Sequence, residues 1–196
     1  GQDLVISDTI YTSFVVVTLG AFGISEAGRA FGKKLKIKLD TQLIFSYNIC
    51  MNLFYLDEDL DKCAEYHVDK HIVKMPLEAA QLLCTAVWID HVLGFIPRAL
   101  NREESSILNA EKAKIKHLPL EERPLCQYLP MMYNHPCTIW TRSSLDNFEW
   151  VHCYANALND EYHYRYGKQH KSVVEVINKL PEPKNMPREG LTPFGM

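Results

Sequence analysis

The chain has 196 residues, of which 47% are hydrophobic and 23% charged, and these proportions exclude a disordered or fibrous protein. The formal net charge of -3 argues against a strongly basic surface, so any contact with nucleic acid is expected to use a local patch. The longest apolar run, residues 14–19, is too short to span a bilayer, and Asp3 and Asp8 precede it instead of a basic stretch. We therefore expect a soluble, cytoplasmic protein with no membrane contact.

The first fifty residues are interpreted as a β-rich N-terminal extension. Short segments rich in β-branched and aromatic residues, or alternating between polar and apolar residues, predict strands over 4–7, 13–19, 34–39 and 42–49. Met51 follows directly and is placed like an alternative start, so we interpret residues 1–50 as accessory. The functional domain is then expected over residues 51–180, and the proline-rich residues 181–196 are expected to form an extended tail.

A mainly helical fold with a small β element is predicted for the functional domain. Residues 52–56 predict a strand, and a helical pattern then extends from about residue 59 to residue 88. Pro76 lies inside this pattern and predicts a kink, or two consecutive helices with Pro76 in the first turn of the second.

Two further helices follow. The polar residues 101–122 predict a solvated helix and a loop. A long helix is predicted from Ser143 or Ser144, which can cap its first turn, to about Tyr166, with Gly167 as the stop. The core is therefore expected to be built on two long helices.

The six cysteines form no CxxC pair. In a chain long enough to bury a core without disulfides, they are interpreted as small buried hydrophobic residues in a reducing compartment. A nucleophilic cysteine is the alternative.

One narrow face of the first long helix is polar, while the rest of its C-terminal half is apolar nearly all round. The members of this polar stripe, spaced by four and three residues, are His67, His71, Lys74, Glu78, Gln81 and Thr85, with Lys70 at the edge. Charges removed from water need partners, so the stripe is predicted to face a polar cleft. The alternative is a solvated ridge between two packed faces.

The second long helix carries a line of mixed aromatic and charged residues. This line consists of Asn147, Trp150, Tyr154, Glu161 and Arg165. Tyr166, Lys168 and His170 follow in a segment that is both basic and aromatic, a combination that can hold a phosphate and stack a base. The alternatives are core packing for the rings and a cationic helix end for the basic segment.

Between the two helices lies a turn with the sequence Asn134-His135-Pro136, followed by Trp140. Pro136 disfavours helical geometry at His135, which is a typical way to present an imidazole. We expect one shared pocket between helix 59–88, this turn and helix 144–166.

Two kinds of chemistry fit these residues. Without a metal, a carboxylate acts as general acid and base, imidazoles assist, and cations hold an anionic substrate. The catalytic candidates are Glu78, His71, His67, Lys74, His135 and Glu161. The substrate-binding candidates are Lys70, Gln81, Asn134, Trp140, Asn147, Trp150, Arg165, Tyr166, Lys168 and His170. A lysine whose pKa is lowered by neighbouring positive charges is also suited to act as an amine nucleophile.

The alternative uses a divalent metal, although no cofactor is assigned in the favoured interpretation. His67 and His71 lie at i and i+4, where two imidazoles can share a metal on one helix. The third ligand would then be Glu78, His135 or His170.

Three runs of residues resemble an uncharacterised family of bacteriophage proteins that is common in marine phages. The runs are Tyr66-His67-x-Asp69-Lys70-His71-x-x-Lys74-Met75-x-x-Glu78-x-x-Gln81, Asn134-His135-Pro136-Cys137-x-x-Trp140 and Glu161-Tyr162-x-x-Arg165-Tyr166-Gly167-Lys168-x-His170. The similarity covers about residues 52–196. It implies a phage-encoded protein in the cytoplasm of the host cell.

The short start, a strand and then a helix that bears a carboxylate, and the Asn-His-Pro turn also resemble pyrimidine-dimer DNA glycosylases. This resemblance implies that an amine attacks the sugar C1′ of a damaged nucleotide, that a carboxylate assists, and that strand cleavage follows. Those enzymes use their N-terminal amine, whereas about fifty residues precede the motif here, so Lys70 or Lys74 would replace it.

The favoured hypothesis is a phage-type enzyme that acts on nucleic acid or a nucleotide, with glycosylase/lyase chemistry. The alternatives are a metal-dependent helical enzyme on a small substrate and a non-catalytic module that binds a nucleotide or a protein.

Overall fold

The computed structural model describes residues 53–193. The described residues belong to one compact unit. The strands predicted between residues 4 and 49, and the accessory role of residues 1–50, lie outside the described residues.

The described part of the chain is mainly helical, as the sequence predicts. Its α-helices are α1 (Leu60–Glu65), α2 (Asp69–Leu93), α3 (Arg102–Ile115), α4 (Pro136–Thr141) and α5 (Leu145–Tyr166). Shorter elements are 3-10 turns at Leu120–Glu122 and Ile177–Lys179 and a π-helical turn at Ser172–Val176.

The prediction of a small β element at residues 52–56 is wrong for the residues that the structure describes. Residues 53–56 are irregular, and no strand occurs between residues 53 and 193. The backbone there hydrogen-bonds a side chain instead of a second strand. The Cys63 thiol donates to the carbonyl of Phe54 and accepts from the N–H of Leu56, both at 3.3 Å.

The first long helix of the sequence prediction is two helices, and the break is not at the proline. The helical pattern is interrupted at residues 66–68, where Val68 has an extended backbone with ψ 155°. Helix α2 then passes through Pro76 without interruption and continues to Leu93, beyond the predicted end at residue 88. The alternative in which Pro76 begins a second helix is therefore wrong.

Helix α2 is the centre of the core. Its residues from Ala79 to Asp90 are all buried, apart from Gln81, which is half-buried, and it packs most extensively against α5. By length and composition α2 could also cross a membrane, with a mean hydropathy of 1.4 over an 18-residue window, of which 78% is buried inside the protein. The core helix of a soluble protein passes the same test, so this finding is weak evidence for a membrane span.

Helix α5 has the boundaries that its capping residues predict. The Ser144 hydroxyl accepts a hydrogen bond from the N–H of Asn147, and Gly167 ends the helix in the left-handed conformation with φ 65°. Helix α3 and the loop after it also agree with the polar pattern of residues 101–122.

Four of the described cysteines, at positions 63, 84, 126 and 137, are buried thiols, and Cys153 is exposed. This agrees with their interpretation as small hydrophobic residues. Cys50 lies outside the described residues.

Candidate functional site

The predicted polar stripe is buried at its first member, His67, which lies before α2, is exposed at Lys74 and is buried again at Glu78 and Thr85. Among its first members, His67 is 2% exposed, His71 is half-buried and Lys74 is exposed. Glu78 is 4% exposed, although it lies only one helical turn after Lys74. The stripe is therefore neither a solvated ridge along its whole length nor the wall of one cleft.

An ion pair joins the exposed and the buried members of the stripe. Lys74 Nζ lies 2.8 Å from Glu78 Oε1, and the side chains are 50% and 6% exposed. An i, i+4 pair is common on helices, but here the carboxylate is withdrawn from water while the amine keeps access to it. A solvent-accessible amine thus lies against a buried carboxylate.

Glu78 also affects the pKa of one residue on α4 and one residue on α5. Burial is the main reason why the pKa of Cys137 is raised, and the Glu78 carboxylate adds to that shift. Burial is also the largest cause that raises the pKa of Tyr154, followed by the nearby Cys63 and then by Glu78. Glu78 therefore faces the junction of α2 with α4 and α5, and Lys74 lies at the outer edge of that junction.

His67 lies in the interior with both ring nitrogens engaged. Nδ1 lies 2.6 Å from the carbonyl oxygen of Cys63, and Nε2 lies 2.8 Å from the hydroxyl of Tyr154. Burial, as the largest cause, lowers the pKa of this imidazole, and the nearby charges of His71 and Arg165 lower it further. The structure thus places this catalytic candidate inside the protein, away from the Lys74–Glu78 pair's exposed edge.

His71 is held by an aromatic stack. Its ring lies parallel to the ring of Phe54, with centroids 4.8 Å apart and an interplanar angle of 6°. The ring of His67 is edge-on to it at 5.8 Å. Because His71 is half-buried and lies on the same face as Lys74, it is the imidazole of the stripe that best reaches the exposed side of the site.

The last members of the stripe contact the loop before α4. The hydroxyl of Thr85 donates to the carbonyl of Met131 at 3.3 Å and accepts from its N–H at 3.2 Å. Gln81 is half-buried one turn earlier. Thr85 therefore positions a loop.

Arg165 was predicted to bind substrate in a cleft. In the structure its guanidinium instead hydrogen-bonds the backbone of the turn between α1 and α2. It donates to the carbonyls of Glu65 at 2.9 Å and His67 at 2.8 Å. It also pairs with the carboxylates of Glu161 at 2.5 Å and Asp69 at 2.9 Å. The last carbonyls of a helix lack partners within it, so Arg165 satisfies the end of α1. Glu161 and Arg165 thus have a structural role at this junction.

The predicted Asn-His-Pro turn is the start of α4. The backbone N–H of Cys137 donates to His135 Nδ1 at 3.3 Å, and Pro136 is the first helical residue. Asn134 hydrogen-bonds both backbone groups of Leu100, at 2.7 and 3.0 Å. The imidazole of His135 therefore caps its own helix, and Asn134 ties this turn to the chain before α3.

Trp140 and Asn147 hold the C-terminal segment. The indole N–H of Trp140 donates to the carbonyl of Thr192 at 3.1 Å. The Asn147 side chain donates to the Thr192 hydroxyl at 2.7 Å and accepts from its N–H at 2.9 Å. Both residues were predicted to bind substrate, and the structure uses both to anchor the tail.

Trp150 lies in an aromatic cluster and is half-buried. Its ring stacks on Tyr154 with centroids 5.2 Å apart and on Tyr55 at 5.7 Å, and it meets Trp140 edge-on at 5.6 Å. These contacts agree with the alternative interpretation, in which the aromatic rings of this helix pack against other rings.

The basic segment after α5 runs beside α2. His170 Nε2 lies 3.1 Å from the carbonyl oxygen of Val73, and burial lowers the pKa of this imidazole. Tyr166 is 40% exposed, and Lys168 is exposed. Arg165 contacts residues 67 and 69, and His170 contacts residue 73, so in the sequence Lys168 lies between two residues that contact the start of α2.

No group of three His, Cys, Asp or Glu side chains in residues 53–193 is arranged to hold a metal ion. Two cavities of about 420 and 620 Å³ lie elsewhere, the first beside Trp88 and the second beside Asp160. Neither cavity is lined by a member of the polar stripe. The one shared pocket expected from the sequence is thus not among them.

The prediction missed two buried ionisable residues. Arg142 is 1% exposed and Asp90 is 4% exposed. Asp90 interrupts the apolar sequence at the end of α2, which was an available signal because a buried charge needs partners. Arg142 carried no such signal, since polar residues surround it in the sequence.

The chain was compared with known proteins in three ways. No protein-family model, no curated protein and no solved structure matches it.

Proposed function

We propose that this chain is an enzyme that acts on nucleic acid or a nucleotide, with DNA glycosylase/lyase chemistry at Lys74 and Glu78. The observation that carries the proposal is the 2.8 Å pair between a 50% exposed ammonium and a carboxylate that is 6% exposed. Such a reaction needs an accessible amine and a carboxyl group that exchanges protons with it.

In the proposed reaction Lys74 first transfers a proton to Glu78. The neutral amine then attacks C1′ of the damaged nucleotide, and the C1′–base bond breaks, its electron pair leaving with the base, which takes up the proton that Glu78 received, so that Glu78 is a carboxylate again. Opening of the sugar ring moves a proton from the amine to O4′ and gives an iminium ion. The Glu78 carboxylate then removes a proton from C2′, a C2′=C3′ bond forms, and the C3′–O bond to phosphate breaks.

The exposed cations beside this pair support a polyanionic substrate. Lys70 precedes Lys74 by one turn, and in the sequence Lys168 lies between Arg165 and His170, which contact the start of α2. We assign phosphate contacts to Lys70 and Lys168, since a local patch is what a chain of net charge -3 can offer. Arg165 is left out of this set because its donors are occupied by the α1–α2 turn.

Borohydride trapping tests the proposal. A duplex that contains one thymine dimer, and a second that contains one abasic site, are each incubated with the full chain and sodium borohydride. A covalent adduct is expected that Lys74→Ala abolishes and Glu78→Gln slows about 100-fold. Lys116→Ala, at the exposed end of α3, is the matched lysine control and should trap as the natural chain does.

Three outcomes would redirect the proposal. An adduct that survives Lys74→Ala but is lost in Lys70→Ala moves the nucleophile to Lys70. An adduct that needs a shortened chain starting at Met51 assigns the amine to that new N-terminus. Absence of any adduct from both duplexes excludes lyase chemistry. Metal analysis and nucleotide binding of the same preparation then decide between the metal-dependent enzyme and the non-catalytic module.

A further inference from the structure

The cavity of about 420 Å³ lies between α2, α3 and the loop that follows α3. Apolar side chains of all three segments line it, among them Trp88, Val92, Ile115 and Leu125, and the last three are half-buried. A concave, mainly apolar surface of this volume is typical of sites that hold a small molecule. A molecule bound there would cover aliphatic surface that water reaches.

The loop wall of this cavity is tied to both helices. The Cys126 thiol donates to the carbonyl of Cys84 on α2 at 3.7 Å. The Lys112 ammonium on α3 donates to the carbonyl of Pro130 at 2.9 Å. Because these contacts hold the loop, a ligand finds a formed cavity and binding needs little ordering of the chain.

Trp88 brings a hydrogen-bond donor to the lining. The residue is 3% exposed, and its indole N–H has no acceptor within residues 53–193. A buried indole N–H normally pairs with an acceptor, since its removal from water costs free energy. Trp140 follows that rule, because its indole donates to the carbonyl of Thr192. An acceptor on a molecule in the cavity would give Trp88 the corresponding bond.

Glu111 brings an acceptor to the same cavity from α3. Its carboxylate lies 2.5 Å from the Lys114 ammonium, in a pair whose side chains are 39% and 66% exposed. An exposed ion pair is weak, and a carboxylate accepts several hydrogen bonds, so Glu111 can also accept one from a ligand. The lining thus combines a donor on α2, an acceptor on α3 and apolar surface.

We propose that this cavity binds a planar nitrogen heterocycle that carries an amino group, of the aminopurine or aminopyrimidine class. A ring nitrogen or carbonyl oxygen accepts from the Trp88 indole, the amino group donates to Glu111, and the ring packs against the apolar walls. Lys74 lies about 21 Å away along α2, since an α-helix rises about 1.5 Å per residue. The inference therefore does not depend on the chemistry of Lys74 and Glu78.

Titration of the full chain with adenosine and with cytidine tests the inference. Heteronuclear NMR of the isotope-labelled chain follows the indole N–H signals, and Trp88→Phe assigns the Trp88 signal. This signal should move downfield with at least one of the two nucleosides at millimolar concentration, while that of Trp140 stays in place. The analogues of both nucleosides that lack only the amino group should bind at least tenfold more weakly.

Two variants locate the binding without disturbing Trp88. Glu111→Gln should weaken binding about tenfold, because the amino group loses a charged acceptor. Glu103→Gln, at an exposed position of the same helix, is the matched control and should bind as the natural chain does. Val92→Phe places a ring in the cavity and should abolish binding. Circular dichroism of each variant verifies that it is folded.

Three results would overturn the inference. The first is a Trp88 signal that neither nucleoside moves. The second is equal affinity for the nucleosides and for their analogues without the amino group. The third is unchanged affinity in folded Val92→Phe, which would place any binding outside this cavity.

Discussion

The guanidinium of Arg165, near the end of α5, donates a hydrogen bond of 2.8 Å to the backbone carbonyl of His67, 98 residues earlier in the sequence. This bond, together with the one to the carbonyl of Glu65, completes the end of α1 with donors that the local chain lacks. Within the break at residues 66–68, the carbonyl of His67 thus has its hydrogen-bond donor on α5.

Replacement of Arg165 by Met should therefore destabilise the fold. We expect the free energy of unfolding to fall by about 1–3 kcal/mol, because two carbonyls and the Glu161 carboxylate lose a charged donor. Urea titration measures the effect. Arg188→Met is the matched control, since Arg188 also pairs with a glutamate but is largely exposed, and it should unfold as the natural chain does. Equal stability of both variants would contradict this role for Arg165.

Stability should decrease on acidification below pH 6.5. Burial lowers the pKa of both His67 and His170 from the ordinary value of 6.5. As the pH falls through 6.5 the unfolded chain takes up protons at these imidazoles, whereas the folded chain does not until a lower pH is reached. The free energy of unfolding is therefore retained above about pH 6.5 and decreases below it. Urea titrations at pH 7.5, 6.5 and 5.5 should show this slope, and it should be shallower in the double variant His67→Gln, His170→Gln. The same slope in both proteins would contradict the assignment.

Arg142 should be among the most sensitive positions of the fold. Its buried guanidinium donates to the carbonyls of Ile96, Arg98 and Tyr133 at 2.9, 2.5 and 2.7 Å, and burial lowers its pKa to about 10. Arg142→Met leaves three carbonyls without their donor, so we expect a loss of about 3 kcal/mol or more. Chemical denaturation of this variant beside Arg102→Met, an exposed position on α3, measures the effect. A loss no greater than that of the control variant would show that water replaces the guanidinium at little cost.

The Asp90 carboxylate should hold the segment after residue 180. It accepts hydrogen bonds from the backbone N–H of Lys184 at 2.8 Å and of Asn185 at 3.2 Å. Asp90→Asn replaces an acceptor by an amide and removes its charge, so we expect a loss of about 1–3 kcal/mol and faster proteolytic cleavage within residues 181–193. Asp160→Asn, exposed on α5, is the control. Unchanged cleavage in Asp90→Asn would show that the segment is held by its other contacts, such as those of Pro187 and Thr192.

Local chemistry made part of the fold predictable. The caps of α5 depend on a serine hydroxyl and a glycine within a few residues of the helix ends, so both boundaries could be read from the sequence. The apolar surface of α2 likewise predicts burial, because a helix that is hydrophobic nearly all round has no solvated side.

The candidate site was predictable in composition but not in arrangement. The spacing of His71, Lys74 and Glu78 places them on one helix face, and the Lys74–Glu78 pair follows directly from the i, i+4 rule. The pattern could not show that the same face turns from solvent to interior between these two residues, since that depends on where α4 and α5 pack.

Sequence alone thus determined the helix type, the central position of α2 and the residues along its polar face, because each depends on near neighbours in the chain. Only the tertiary structure decided the partner of each polar group. Arg165 binds backbone carbonyls instead of an open cleft, and Asn147 binds Thr192. The physical reason is that a buried donor pairs with whichever acceptor the packing brings within about 3 Å, and that acceptor lies far away in the sequence.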